Sequence, residues 1–193
     1  LTEIFRQAQD SMIIVNAHRV NTGEFPSSQS DRESSKKDFS YIKQDNPEDL
    51  FGVLRRIYGG VLQKHKISRQ NSIVLTPMNR GIVGTARINQ ELQMILNPTQ
   101  ENQESISRFG QDYRINDRVM QIRNNYDKFV FNGDIGYITK INKSDQELYI
   151  KFGERELLYN FYELNEIVLA YAISIHKSQG SEFDAVIIPI YMQ

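Results

Sequence analysis

The sequence predicts an α/β fold interrupted by a small β-barrel. Three observations carry that reading. The apolar runs Ile73-Val74-Leu75, Ile167 to Ile175 and Ala185 to Ile190 have the composition of buried strands. Apolar residues at helical spacing surround the first of these runs. From Tyr113 to Leu164 the texture changes to short strands separated by turns, which suits a small barrel. The expected division is therefore 1–110 and 166–193 for the α/β part and 111–165 for the barrel.

Each element has a local reason. Asp10 or Ser11 can cap a helix whose apolar face is Ile13, Ile14, Ala17 and Val20, ended by Gly23 and Pro26. His18 and Asn16 read as residues that close this helix end. Ser27 to Asp38 is polar and Ser-rich, a solvated, mobile loop by composition. Phe39-Ser40-Tyr41-Ile42 is a short strand candidate. Asn46-Pro47-Glu48-Asp49 starts a helix: Asn caps, Pro fits the first turn, and the acids sit at the positive dipole end. Leu50, Val53, Leu54, Ile57, Val61 and Leu62 carry it despite Gly59-Gly60. Gly81 and Gly84 precede another helix, with Leu92, Ile95 and Leu96 inward and Asn97-Pro98 as its stop. Within the barrel, Asn132-Gly133-Asp134 signals a tight turn. Ile138 to Ile141 and Leu148 to Phe152 make a hairpin.

Composition limits the chemistry. The chain has 193 residues, 23 basic against 24 acidic, and a net charge of −1, so a generally basic nucleic-acid surface is unsupported. Any such contact must be a local patch. There is no cysteine, hence no disulfide and no thiolate metal site; this fits a reducing, cytoplasmic setting. No apolar run reaches membrane-spanning length, and no His/Asp/Glu cluster has convincing metal spacing. Neither a Gly-Lys nor an Asp-Glu dipeptide occurs, which excludes a phosphate-binding Walker A loop and the usual magnesium-holding carboxylate pair. A chain starting at Leu1 rather than Met is expected to be a piece of a longer one.

The most informative stretch is Ala170-Tyr171-Ala172-Ile173-Ser174-Ile175-His176-Lys177-Ser178-Gln179-Gly180-Ser181-Glu182-Phe183. It starts as a strand and breaks into a loop dense in donors, with one Gly for close backbone approach, which suits phosphate. Glu182 would repel phosphate and could instead accept from a sugar hydroxyl. The run resembles motif V of superfamily 1 helicases, most closely that of RecD-like DNA helicases, the family of the exodeoxyribonuclease V alpha subunit. Leu1-Thr2-Glu3-Ile4-Phe5-Arg6-Gln7 looks like motif IV, and Asn16-Ala17-His18-Arg19-Val20-Asn21-Thr22-Gly23 continues in the same pattern. Leu75-Thr76-Pro77-Met78-Asn79-Arg80-Gly81-Ile82-Val83-Gly84-Thr85 is a third match. The fourth is Asp117-Arg118-Val119-Met120-Gln121 with Phe131-Asn132-Gly133-Asp134-Ile135-Gly136. The matches fall in family order over nearly the whole chain.

The resemblance implies a second RecA-like motor domain, lacking motif VI and interrupted by an SH3-like barrel. It implies an ATP-dependent DNA helicase that moves 5′ to 3′ on single-stranded DNA in repair and recombination, alone or with nuclease-complex subunits. ATP and Mg²⁺ would be held mainly by a preceding motor domain, so this chain alone is expected to be inactive. Arg6 would be the catalytic and nucleotide-binding arginine, reaching the γ-phosphate of ATP; the plain alternative is a surface arginine beside Glu3. Gly180 and Glu182 would face the nucleotide. Ser174, His176, Lys177 and Ser178 would face the DNA backbone, against the alternatives of a satisfied strand-end histidine and a solvated lysine. Thr76, Asn79 and Arg80 would add a backbone contact where a strand end leads to a helix N-terminus. Otherwise they form a plain turn satisfying its own backbone. Tyr126, Phe129 and Phe131 could stack bases, but barrel or hairpin packing is the favoured expectation. The rival readings are a relaxase-type or RNA-acting superfamily 1 module and a non-catalytic protein-docking domain.

Overall fold

A computed structural model describes residues 11–28, 38–101 and 103–191. Contacts divide the chain into Leu1–Asp45 and Asn46–Gln193. In the first unit, helix α1 (Met12–Asn21) has Ser11 at its N-cap position. The capping group is not Ser11 itself: the Asp38 carboxylate accepts from the Met12 backbone N–H (2.8 Å) and from Ser11 Oγ (2.7 Å). Its buried residues are Met12 and Asn16, whereas Ile13 and Val20 are exposed, so the expected apolar face is rotated. Asn16 closes the helix end, donating to the Ser27 carbonyl and accepting from the Ser27 N–H. Phe39 to Ile42 form no strand. Tyr41 and Ile42 stay exposed there.

The second unit opens as the sequence predicts. Asn46 accepts from the Glu48 N–H, and a 3-10 turn at Pro47–Asp49 leads into α2 (Leu50–Arg56). The helix continues through a π-helical segment, Ile57–Val61, into the short α3 (Leu62–Lys64). Gly59 and Gly60 sit in that π segment, where the i→i+4 pattern is interrupted without ending the helix. Leu50, Leu54, Ile57, Tyr58 and Leu62 face the core.

Strand β1 (Ser72–Thr76) is buried along its whole length. It is the centre of a three-stranded parallel sheet, between β9 (Ala172–Ser174) and β10 (Ala185–Ile187). The apolar run at 73–75 reflects that position, flanked on both edges and covered by α4 (Thr85–Leu96) with Ile88 and Leu92 inward. Asn89 of α4 bonds both ways with the Ala172 backbone, covering the outer edge of β9. The run from 185 to 190 is less buried than its composition predicts. Val186, Ile188 and Ile190 are exposed, because β10 is an edge strand only three residues long.

The antiparallel part has a hairpin, β2 (Ser105–Arg108) with β3 (Gln111–Arg114), and a five-stranded sheet in the order β7-β6-β5-β4-β8. Its strands are β4 (Arg118–Gln121), β5 (Ile135–Asn142), β6 (Glu147–Phe152), β7 (Arg155–Asn160) and β8 (Ile167–Leu169). The predicted hairpin is β5–β6. Among the described residues β7 and β8 are not paired with each other, so the sheet is open and no closed barrel is observed. Gly136 on β5 is required by packing: a Cβ there would lie 2.8 Å from Ile150 Cγ2 and from the Lys151 carbonyl.

The two sheets share one chain path. β8 pairs with β4, crosses Ala170-Tyr171, and becomes β9 beside β1. Two buried charged residues hold this crossing. Arg118 donates from Nε to the Ala170 carbonyl, from Nη1 to the carbonyls of Gln70 and Ser72, and from Nη2 to that of Tyr171. Asp117 accepts from Asn97 Nδ2, Tyr171 OH, Gln93 Nε2 and the Arg114 N–H, at 2.6 to 2.9 Å. Burial pushes the Asp117 pKa up, against those hydrogen bonds.

Candidate nucleic-acid interface

The parallel register fixes the site. Thr76 lies beside Ser174, so the loops leaving β1 and β9 emerge from the same, carboxyl end of the sheet. Open α/β sheets bind ligands at that end. After Ser174 the chain makes one 3-10 turn, Ile175–Ser178. Ser178 Oγ donates to the Ile175 carbonyl (2.8 Å), and the Ser181 N–H donates to the Ser178 carbonyl (3.0 Å). Gly180 has φ +84°, where a side chain would be strained although nothing lies within 4 Å of the Cβ position. The loop therefore has its own backbone closure and projects its side chains.

His176, Gly180 and Glu182 are exposed, and Ser174, Lys177 and Ser178 are half-buried. Among the described residues the side chains of His176, Lys177 and Arg80 have no hydrogen-bond or ion-pair partner. Partial burial of the Lys177 ammonium lowers its pKa from the ordinary lysine value. Lys177 is a partly desolvated cation with no ion-pair partner among the described residues, a group that gains from an incoming anion. Across a cleft of about 400 Å³, His176, Lys177, Gln179, Gly180 and Ser181 face the turn Asn132-Gly133-Asp134. Among the described residues Asp134 is the one acid lining it, and its Oδ2 is engaged by the Phe131 N–H (2.8 Å).

The β1 loop behaves differently from residue to residue. Thr76 is buried, its Oγ1 donating to the Val83 carbonyl (2.7 Å) and accepting from the Met78 N–H (3.3 Å). Its hydroxyl shapes the loop from inside. Asn79 and Arg80 are exposed, with Asn79 Oδ1 accepting from Thr85 Oγ1 (3.4 Å). Gly84 is the N-cap of α4, and a Cβ there would meet the Arg80 backbone at 2.5 Å. Arg6 lies outside the described residues. Among the described residues no three His, Asp or Glu side chains are gathered to hold a metal ion, and no helix is long and apolar enough to cross a membrane.

Two features escaped sequence reasoning. The cleft wall at 132–134 is one; its turn was legible, its partner across the cleft was not. The other is a correction. Tyr126, Phe129 and Phe131 are not barrel core: they are 69%, 67% and 43% exposed.

The chain is similar in sequence to several known proteins. The SH3 domain of ATP-dependent RecD-like DNA helicases matches residues 88–152, and the UvrD-like helicase C-terminal domain matches residues 169–193. The ATP-dependent RecD2 DNA helicase of Deinococcus radiodurans is 29% identical over 187 residues, 97% of this chain and 24% of that protein. The RecBCD enzyme subunit RecD of Haemophilus influenzae is 33% identical over 109 residues, 56% of this chain and 15% of that protein. A solved structure of Pif1 helicase from Bacteroides in complex with ADP-AlF3 and ssDNA is 16% identical, with a TM-score of 0.46, over 80% of this chain and 45% of that one. The family models and curated sequences identify the chain as a relative of DNA helicases. Within them it is a relative of the RecD-like helicases, similar to their C-terminal motor region. The chain spans about a quarter or less of the length of these curated relatives.

Proposed function

We propose that this chain is the second motor portion of an ATP-dependent DNA helicase that translocates along single-stranded DNA. The carrying observation is the partly desolvated Lys177, without an ion-pair partner among the described residues, beside exposed His176 on a backbone-closed loop at the carboxyl end of a parallel sheet. A fixed cation and a neighbouring donor hold phosphate without reading sequence, as a translocating motor requires. Ser174, Ser178, Asn79 and Arg80 extend that surface, while Thr76 acts through loop shape. Gly180 and Glu182 turn toward the nucleotide, and Arg6 meets its γ-phosphate, where a fixed cation stabilises transition-state charge.

In this reading 1–110 and 166–193 form a RecA-like domain, and 111–165 is an SH3-like insertion. ATP and Mg²⁺ are bound mainly by another motor domain. Movement is 5′ to 3′, in DNA repair and recombination in the cytoplasm, and the protein works alone or as a subunit of an exodeoxyribonuclease V type complex. The test is DNA-stimulated ATP hydrolysis by the intact protein. His176→Ala with Lys177→Ala should abolish most of the stimulation and spare nucleotide binding. Stimulation that survives the double substitution would remove the loop from the mechanism.

A further inference from the structure

One surface is left unused by that function. The segment from Arg123 to Phe131 forms a tight loop closed by a reciprocal backbone pair, Asn125 N–H to the Val130 carbonyl (2.8 Å) and Val130 N–H to the Asn125 carbonyl (3.1 Å). Val130 is fully buried and anchors it. Arg155 donates from Nη2 to the Phe129 carbonyl (2.7 Å) and from Nη1 to the Lys128 carbonyl (3.3 Å). Lys128 is tied to Glu163, and Asn125 Oδ1 accepts from the Lys128 N–H. The loop backbone is thus fixed from several sides, yet its three aromatic rings point outward.

Phe129 adds an argument about cost. Its φ is +51°, a left-handed conformation that disfavours a residue with a Cβ and suits Gly or Asn. A phenylalanine in that conformation with two-thirds of its surface exposed gains little from packing. Tyr126 and Phe131 stand edge to face, with ring centroids 6.1 Å apart. Along the chain the rings alternate with polar residues: Asn124 and Asn125 precede Tyr126, and Asp127 and Lys128 lie between Tyr126 and Phe129. Exposed aromatic rings beside a cleft that holds a cation are the combination that takes unpaired bases together with their backbone. Phe131 also directly precedes Asn132, a wall of the cleft that contains His176 and Lys177.

We propose that Tyr126, Phe129 and Phe131 form a base-stacking platform for single-stranded nucleic acid, continuous with the phosphate-facing cleft. This rests on the reading of the 174–182 loop given above. Phosphates lie against Lys177 and His176, and bases of the same strand stack on the rings. The platform contributes affinity without base identity, since every base has a π-face.

The test uses the intact protein, a fluorescent oligothymidine, and an abasic strand of equal length and charge. Wild type should bind the base-bearing strand more tightly than the abasic one. Phe129→Ala and Phe131→Ala should each weaken the base-bearing strand by roughly 5- to 150-fold, the span for losing one stacked base. They should leave abasic binding and its salt dependence unchanged, and Phe129→Tyr should restore binding. Trp at position 129 (Phe129→Trp) should be quenched by oligothymidine and not by the abasic strand. If Lys177→Ala weakens both strands while the Phe variants change neither, the phosphate reading stands and the platform is overturned. If the Phe variants act as expected while Lys177→Ala does nothing, the platform stands without its neighbour. Failure of wild type to bind either strand sinks both. Variants that bind DNA normally but lose a protein partner would show that the rings dock protein, which also overturns the proposal.

Discussion

Replacing Asp117 by Asn tests how the two sheets are joined. Each Asp117 oxygen accepts two hydrogen bonds: Oδ1 from Asn97 Nδ2 (2.7 Å) and Tyr171 OH (2.9 Å), Oδ2 from Gln93 Nε2 (2.6 Å) and the Arg114 N–H (2.7 Å). An Asn must set its NH₂ against one pair. Against Gln93 and Arg114 it would face a backbone donor that cannot turn. Against Asn97 and Tyr171 it can be accommodated in part, because the tyrosine hydroxyl can rotate to accept. Asn97 Nδ2 keeps its second acceptor, the Ile115 carbonyl (2.9 Å). The better orientation therefore loses one bond outright and weakens others from charged to neutral. A lost charge-assisted bond costs about 1.5–3 kcal/mol and an unsatisfied buried donor about 1–3 kcal/mol. Relief of the carboxylate's burial cost, the leading cause of its raised pKa, offsets part of that. We expect a net loss of about 2–3 kcal/mol, or a fall in melting temperature of roughly 4–12 °C. The assay is urea and thermal unfolding of the intact protein at pH 8. A variant within about 0.5 kcal/mol of wild type, the range of an ordinary surface change, would refute the idea that this carboxylate joins helix, hairpin and strand crossing.

Three further outcomes are expected. Gly136→Ala should destabilise by about 1–3 kcal/mol in urea unfolding, because the new Cβ meets the Lys151 carbonyl at 2.8 Å and strand backbone yields poorly. Thr76→Val should cost about 1–2 kcal/mol in the same assay, since the Val83 carbonyl loses its buried donor and the Met78 N–H an acceptor. Lys177 binds phosphate only while protonated, and partial burial holds its pKa below that of an ordinary lysine. Wild-type DNA affinity should therefore fall as pH rises through that lowered pKa, earlier than for an ordinary lysine. Lys177→Arg, which keeps its charge, should hold its affinity across the same titration of anisotropy against pH.

Much of the fold was legible because local rules decided it. Asn46-Pro47 caps and opens a helix by the chemistry of those two side chains, and the apolar run at 73–75 has the composition of a buried strand. The loop at 174–182 was legible because seven polar residues in succession cannot continue a buried strand. What failed depended on distant partners. Asp38, not Ser11, caps α1 from 26 residues away. Phe129 and Phe131 have core-like side chains, and tertiary ties, those of Arg155 to the loop backbone among them, fix the loop with the rings outward. The Asp117 and Arg118 assignments could not be read from spacing either. Their partners are mostly amides and carbonyls brought together by the strand crossing. The cleft facing 132–134 needed the same crossing to exist.

The central claim is that the 174–182 loop holds a nucleic-acid backbone, and salt dependence tests it most directly. Binding of homopolymer single strands by the intact protein should be measured over a series of salt concentrations, for wild type and for Lys177→Ala with His176→Ala. Each phosphate neutralised contributes about 0.7 to the log–log slope for single strands. The double variant should remain folded by thermal melting, bind more weakly by a similar factor for every homopolymer, and show a slope flatter by about 0.7. Most of that change should come from Lys177, the fixed charge. A folded double variant that keeps wild-type affinity and slope would contradict the account.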